Sequence, residues 1–99
     1  LGANTTGNTN CAMGDSALDA NTTGSNSVAI GVNALGAATT ADQNTACGNI
    51  ALTVLTTGAS NAAFGGNAGG ACTTGNGNGT ATAVSLMQPA IAINFIIKA

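Results

Sequence analysis

Residues 24–40 read Gly-Ser-Asn-Ser-Val-Ala-Ile-Gly-Val-Asn-Ala-Leu-Gly-Ala-Ala-Thr-Thr, a 17-residue unit. The threonine pair that ends it recurs at the same spacing along the chain. The pairs are Thr5-Thr6, Thr22-Thr23, Thr39-Thr40, Thr56-Thr57 and Thr73-Thr74. A fixed period kept over several copies is typical of repeat proteins, in which each repeat stacks on its neighbours. The period therefore predicts a stacked architecture.

Within this stretch, side chains alternate in the manner of a β-strand. Val28 and Ile30 fall on one face, and Ser27 and Ala29 fall on the other. Residues 33–37 predict a second short strand, and Thr-Thr-Gly-Ser-Asn predicts a closing turn in which Gly and Asn adopt positive φ angles. Two strands and two turns per repeat predict an all-β protein, a parallel β-solenoid (β-roll) of 17-residue coils.

The two faces of the predicted strand differ in how strictly they repeat. The small face keeps alanine in every copy, at Ala12, Ala29, Ala46 and Ala63, whereas the larger face varies. The small face suits a tightly closed interior of one chain, with the larger face as a contact between subunits. The reverse assignment is equally compatible with the sequence.

The composition limits both the core and the partners of the chain. Of its 99 residues only 4% are charged, and most apolar positions are alanine, which yields little free energy per buried side chain. A small monomer of this kind would be marginally stable, so we expect an oligomer. Lys98 is the single basic residue, which argues against nucleic acid as a partner. No apolar run approaches the ~20 residues of a transmembrane helix, so no membrane insertion is expected.

Few side chains could support chemistry. Asp15 and Asp19 are four residues apart and could act as an acid and base pair, but aspartate is more typical of turns, and the chain has no histidine. Cys11, Cys47 and Cys72 occupy three different positions of the repeat, which favours free, buried thiols over a disulfide framework or a metal site. We expect no enzymatic activity, no cofactor and no metal.

The repeat pattern divides the chain into three parts. Residues 1–74 carry the 17-residue repeats, and Leu1 shares its repeat position with Leu18, so we expect the C-terminal part of a longer array. Residues 75–83 predict a linker rich in Gly, Asn and Thr. Residues 84–99 predict a C-terminal capping strand.

The predicted capping strand is the most apolar segment of the chain. One of its faces carries Ile91, Ile93, Phe95 and Ile97, and Pro89 marks where it begins. A strand this apolar must pair or be covered. We interpret it as a trimerisation cap, with capping of its own chain as the alternative.

Two segments resemble known families. Ser27-Val28-Ala29-Ile30-Gly31 followed by Ala34 resembles the N-S-V-A-I-G-x-x-A motif of head repeats in trimeric autotransporter adhesins, which are left-handed parallel β-rolls of three chains. The longer pattern, with residues 21–26 between motifs, is more similar to the variant found in bacteriophage tail fibres and related virion appendages. Residues 86–98 resemble the M-Q-P-x-x-A-L-N-Y-I-I segment that ends phage tail-collar and short-tail-fibre proteins.

These resemblances imply a structural fibre protein of a virion, a phage tail fibre or appendage that serves host-surface attachment. The implied partners are further copies in a homotrimer, other virion fibre or tail proteins, and a host-surface receptor. The expected oligomer interface comprises Val28, Ile30, Ile91, Ile93, Phe95 and Ile97. One alternative is an adhesin head on a bacterial cell surface. Another is an ice-binding β-solenoid, although each threonine pair precedes a turn instead of lying within a strand.

Overall fold

The computed structural model describes residues 1–74, and this part of the chain is all-β without a helix. It contains β1 (Cys11–Met13), β2 (Val28–Ile30), β3 (Thr45–Cys47) and β4 (Ala62–Phe64). The four strands form one parallel sheet in the order β1-β2-β3-β4. The prediction of an all-β chain with parallel strands is thereby confirmed for these residues. The predicted linker, 75–83, and capping strand, 84–99, lie outside the described residues.

Successive strands pair at a constant offset of one sequence repeat. Ala12 pairs with Ala29, and Ala29 pairs with Ala46. The same offset continues beyond the strands, because the Thr22 amide donates to the Thr39 carbonyl at 2.9 Å. We number the repeats 1 to 4, as residues 7–23, 24–40, 41–57 and 58–74. Each repeat is stacked on the next along most of its length.

The predicted second strand at 33–37 is wrong, because these residues belong to a turn that covers 32–37. Asn33 and Leu35 have φ angles of 61° and 52°, and such left-handed residues prevent an extended strand. Their amides nevertheless join neighbouring repeats. Asn33 donates to the Asp15 carbonyl at 2.8 Å, and Leu35 donates to the Ala51 carbonyl at 3.0 Å. Stacking therefore continues through the turn without a strand.

Backbone with positive φ recurs at four positions of every repeat. These positions are Thr9, Asn26, Gln43 and Ser60; Gly14, Gly31, Gly48 and Gly65; Ser16, Asn33, Ile50 and Asn67; and Leu18, Leu35, Leu52 and Gly69. The prediction for the closing turn is confirmed at Asn26 and is wrong at Gly24, whose φ is not positive. Gly24 is required for another reason, because a Cβ there would collide with the Ala41 carbonyl.

The small face lies inside the stack, which settles the question that the sequence leaves open. Ala29, Ala46 and Ala63 are fully buried, whereas the Val28 and Ile30 side chains on the opposite face are only half-buried. The small face can close tightly because its side chains are methyl groups.

Leucine supplies the largest side chains of the interior. Leu18, Leu35 and Leu52 are buried one above another, although each has a left-handed backbone. Burial of a leucine contributes about 1.5–3 kcal/mol, and a left-handed residue costs about 1–2 kcal/mol. The gain from burial exceeds the strain, so the core retains leucine at a position where local preference favours glycine.

We predict that Ile50→Asn stabilises the protein. Ile50 is a β-branched residue at φ 53°, an unfavourable combination, whereas asparagine occupies the same position at Asn33 and Asn67. Relief of the strain should raise the free energy of unfolding by about 1 kcal/mol and the Tm by about 4–8 °C. The Tm is measured by thermal unfolding, with circular dichroism as the signal. Val54→Asn, the same kind of replacement at a β-branched residue without positive φ, is the control. A Tm that falls equally in both variants would contradict the prediction.

Candidate interaction face

The four strands present one apolar, outward-facing surface, which we call the outer face. Its two columns are Cys11, Val28, Thr45 and Ala62, and Met13, Ile30, Cys47 and Phe64. The columns arise because residues at the same position of successive repeats pair directly. Adjacent strands in a sheet lie about 4.8 Å apart, so neighbours within a column are in contact range.

The outer face is most exposed at its two ends. Met13 in the first repeat is 63% exposed and Phe64 in the last is 69% exposed. Val28, Ile30, Thr45 and Cys47, in the two middle repeats, are half-buried because strands flank them on both sides. Among residues 1–74, Met13 and Phe64 therefore form the most exposed apolar part of this surface.

Of the residues predicted for the oligomer interface, Val28 and Ile30 lie together on the outer face. Ile91, Ile93, Phe95 and Ile97 lie outside the described residues. The prediction omitted Met13, Cys47 and Phe64, although they occupy the Ile30 position of the other repeats. A comparison of the residues at the Ile30 position in all four repeats identifies these three.

None of the eight side chains of the outer face carries a formal charge. The aspartates lie elsewhere, at Asp15, Asp19 and Asp42, and all three are exposed. Asp42 accepts a hydrogen bond from the Ser25 amide at 2.7 Å, and Asp19 accepts one from the Gly2 amide at 3.3 Å. These two carboxylates link neighbouring repeats, and Asp15 and Asp19, for which a turn was expected, both lie in the turn at 15–20.

The cysteines are free, as expected. Cys11 is exposed, so the expectation of a buried thiol is wrong there: its position at the end of the outer face leaves it without cover. Cys47 and Cys72 are partly buried, and Cys72 packs against the core. Within residues 1–74, no three metal-binding side chains converge.

In the first four threonine pairs, the hydroxyl of the first threonine donates to the backbone of the next repeat. The Thr22 hydroxyl donates to the Thr39 carbonyl at 3.0 Å, and the Thr39 hydroxyl donates to the Thr56 carbonyl at 3.3 Å. Only the second threonine of each pair, such as Thr23 and Thr40, is both exposed and outside this ladder. The hydroxyl array available to an ice surface is therefore a single column.

The interior also holds polar ladders. The Asn61 side-chain amide donates to Asn44 Oδ1 at 3.0 Å, and that of Asn21 donates to Asn4 Oδ1 at 2.9 Å. Such shared bonds are the behaviour expected of stacked asparagines. Asn21 also begins an N-x-T glycosylation sequence, but complete burial makes its side chain inaccessible in the folded chain.

No family model matches this chain, and neither the curated proteins nor the solved structures yield a significant match. In the described part of the chain, no helix is long and apolar enough to cross a membrane.

Proposed function

We propose that this chain is a structural fibre protein of a virion, a phage tail fibre or appendage that serves attachment to a host surface. In this proposal its 17-residue repeats form a β-solenoid, and three copies associate through the outer face. The observation that carries the proposal is the uncharged, apolar outer face repeated on every strand. The resemblance to tail-fibre and adhesin repeats supplies the functional class.

Covering the outer face contributes favourable free energy to association. Covering Met13 and Phe64 contributes about 1.5–3 kcal/mol per side chain, so these two residues from each of three copies contribute on the order of 10 kcal/mol. Each of the two association steps that build a trimer costs about 4–15 kcal/mol in lost freedom of motion, so the rest of the outer face must contribute as well. Further burial of Val28 and Ile30 shifts the balance toward a stable complex.

The side chains of residues 1–74 favour a structural role over catalysis. The carboxylates of Asp19 and Asp42 are occupied with neighbouring backbone amides, and general acid and base catalysis needs titratable groups aimed at a shared substrate. A uniform stack with identical residues above one another suits reach and display. We therefore propose a fibre located in the virion, with other fibre or tail proteins and a host-surface receptor as its partners.

We predict that Ile30→Asp dissociates the complex. Light scattering at two concentrations should give three times 9.2 kDa for the unaltered chain and 9.2 kDa for the variant, because a carboxylate would be buried without a partner. Val32→Asp is the control, since Val32 is exposed but lies beyond the end of β2. Circular dichroism verifies that both variants are folded. A monomeric unaltered chain would overturn the trimer.

Chemical cross-linking tests the same interface without altering it. In a variant whose only cysteine is Cys47, a short thiol-reactive cross-linker should join copies into species that persist on a denaturing gel. The matched variant with Cys72 alone should not cross-link, because that side chain packs against the core of its own chain. Equal cross-linking of both variants would argue against the outer face as the interface.

Attachment is tested by binding of the fluorescently labelled chain to a panel of bacterial cells, with the heat-denatured chain as the control. Saturable binding to particular strains supports the attachment role. Absence of binding together with thermal hysteresis in freezing solutions would instead identify the ice-binding alternative.

A further inference from the structure

One column of the stack changes chemistry from repeat to repeat, running Asn4, Asn21, Ala38, Leu55 and Cys72, and its middle three members are fully buried. At its first step, a single amide group satisfies two acceptors, one on the exposed Asn4 side chain and one on a buried backbone carbonyl. Asn21 Nδ2 donates to Asn4 Oδ1 at 2.9 Å and to the Gly24 carbonyl at 3.0 Å. This arrangement consists of an acceptor on the preceding repeat, an acceptor in the turn that follows Asn21, and one donor between the two.

The next step of the column keeps the acceptors and loses the donor. The acceptors are now Asn21 Oδ1 and the Ala41 carbonyl, and Ala38 takes the position of the donating asparagine. Asn21 is 0% exposed, and its Oδ1 is buried without a hydrogen-bond partner. The side chains of Ala38 and Ala41 are also buried, and as methyl groups they cannot donate a hydrogen bond.

A second donor is lost at the same step. The Gly24 carbonyl also accepts a bond from Asn10 Nδ2 at 2.7 Å. Ser27 holds the corresponding position for the Ala41 carbonyl, but its shorter side chain donates to the Ser25 carbonyl at 3.4 Å. Neither side-chain donor that serves Gly24 therefore has a counterpart for Ala41.

The two acceptors are close enough to share one donor. A Cβ placed on Gly24 would lie 2.5 Å from Asn21 Oδ1 and at least as close to the Ala41 carbonyl oxygen. Gly7 is the equivalent glycine of the preceding step. A Cβ placed on Gly7 would lie close to both acceptors of that step, Asn4 Oδ1 and the Gly24 carbonyl oxygen, and 2.9 Å from the donor, Asn21 Nδ2. The glycine thus leaves open the space into which a shared donor reaches.

We propose that a single water molecule is bound inside the stack beside Ala38, donating its hydrogens to Asn21 Oδ1 and to the Ala41 carbonyl. The amide group that separates asparagine from alanine is similar in size to one water molecule, about 30 Å³. Buried waters characteristically bridge polar groups that lack protein partners. A cation is disfavoured, because it would be buried beside alanines without a neutralising charge.

The experiment is water-to-protein cross-relaxation in NMR, recorded on the full chain with isotope labels. A long-lived internal water gives a cross-peak between the water resonance and the Ala38 methyl protons. The fully buried methyl of Ala51, in a different column, is the internal control and should give none. Absence of the Ala38 cross-peak in the unaltered chain overturns the proposal.

Ala38→Asn provides a second test, because its amide would replace the water. The cross-peak between water and residue 38 should disappear, and the Tm should stay within about 5 °C of that of the unaltered chain. We expect no large gain, since the new side-chain oxygen would face Leu55. Ala51→Asn has no comparable acceptor and should lower the Tm by more than about 10 °C. Equal losses in the two variants would count against the water site.

Discussion

Gly31→Ala is expected to unfold the repeat stack. A Cβ on Gly31 would lie 2.5 Å from the Gly48 carbonyl oxygen and 2.6 Å from its carbon. These atoms belong to the backbone of the next repeat, so no side-chain rotation relieves the collision. The φ of Gly31 is 128°, a conformation that side chains with a Cβ rarely adopt. Collision and strain therefore act together.

The expected loss exceeds about 4 kcal/mol, a size reached by few single substitutions. Small domains have a total stability of about 5–15 kcal/mol, and a core built largely of alanine places this chain near the lower limit. Far-ultraviolet circular dichroism should therefore show mainly unfolded Gly31→Ala protein at 25 °C.

Gly65→Ala is the matched control at the same position of the last repeat. Its φ of 118° imposes comparable backbone strain, but no described atom lies within 4 Å of the Cβ that it would gain. We expect this variant to remain folded and to lose about 1–3 kcal/mol, the usual cost of a strained backbone position. Urea unfolding of both variants separates the two effects. Equal losses would mean that the collision between repeats is unimportant.

The period of the sequence is sufficient to predict the stacking. Residues 17 apart, such as Ala12 and Ala29, pair directly in the sheet, and the alternation around Val28 predicts β2. This success has a simple cause: in a stack, identical positions must lie above one another, so spacing along the chain becomes position in space.

Residue preferences predict only part of the turn at 32–37, because Asn33 is a residue type that tolerates positive φ whereas Leu35 is not. Leucine rarely adopts positive φ, so nothing at Leu35 suggested a left-handed residue. The one hint is Gly69, which occupies the leucine position in the last repeat and also has positive φ, 63°. Burial of the leucine side chain outweighs the unfavourable backbone conformation. A comparison of the repeats therefore indicates positive φ at the leucine position only through Gly69.

The candidate interaction face was predicted only in part. Composition suggested an oligomer, and the alternation placed Val28 and Ile30 on one face, but alternation alone cannot tell the inside of a strand from its outside. The structure decides the matter through close packing: the interior accommodates methyl groups at Ala29 and Ala46, and it has no room there for the larger Ile30 or Phe64.

Asn44→Ala is expected to destabilise the stack more than any other replacement of a polar side chain. Asn44 is fully buried and joins three repeats. Its Nδ2 donates to the Gly58 carbonyl at 2.8 Å, and its Oδ1 accepts from both the backbone amide and the side chain of Asn61, at 2.9 and 3.0 Å. Its own backbone amide donates to the Ser27 hydroxyl at 3.1 Å.

Alanine at position 44 would remove three of these bonds while leaving the partner groups buried. A buried polar group that loses its partner costs about 1–3 kcal/mol, so the free energy of unfolding should fall by at least about 3 kcal/mol. Asn49→Ala is the control, because the Asn49 side chain is exposed, and it should change stability by less than about 0.5 kcal/mol.

The urea midpoints of the two variants provide the comparison, and hydrogen exchange locates the damage. In Asn44→Ala the amides of Asn61 and Thr45 should lose protection first, because the Thr45 amide donates to the Asn61 carbonyl at 2.8 Å and depends on the same ladder. A variant that keeps both its midpoint and this protection would show that the alanine and leucine core alone holds the repeats together. The asparagine ladder would then be a consequence of stacking instead of one of its causes.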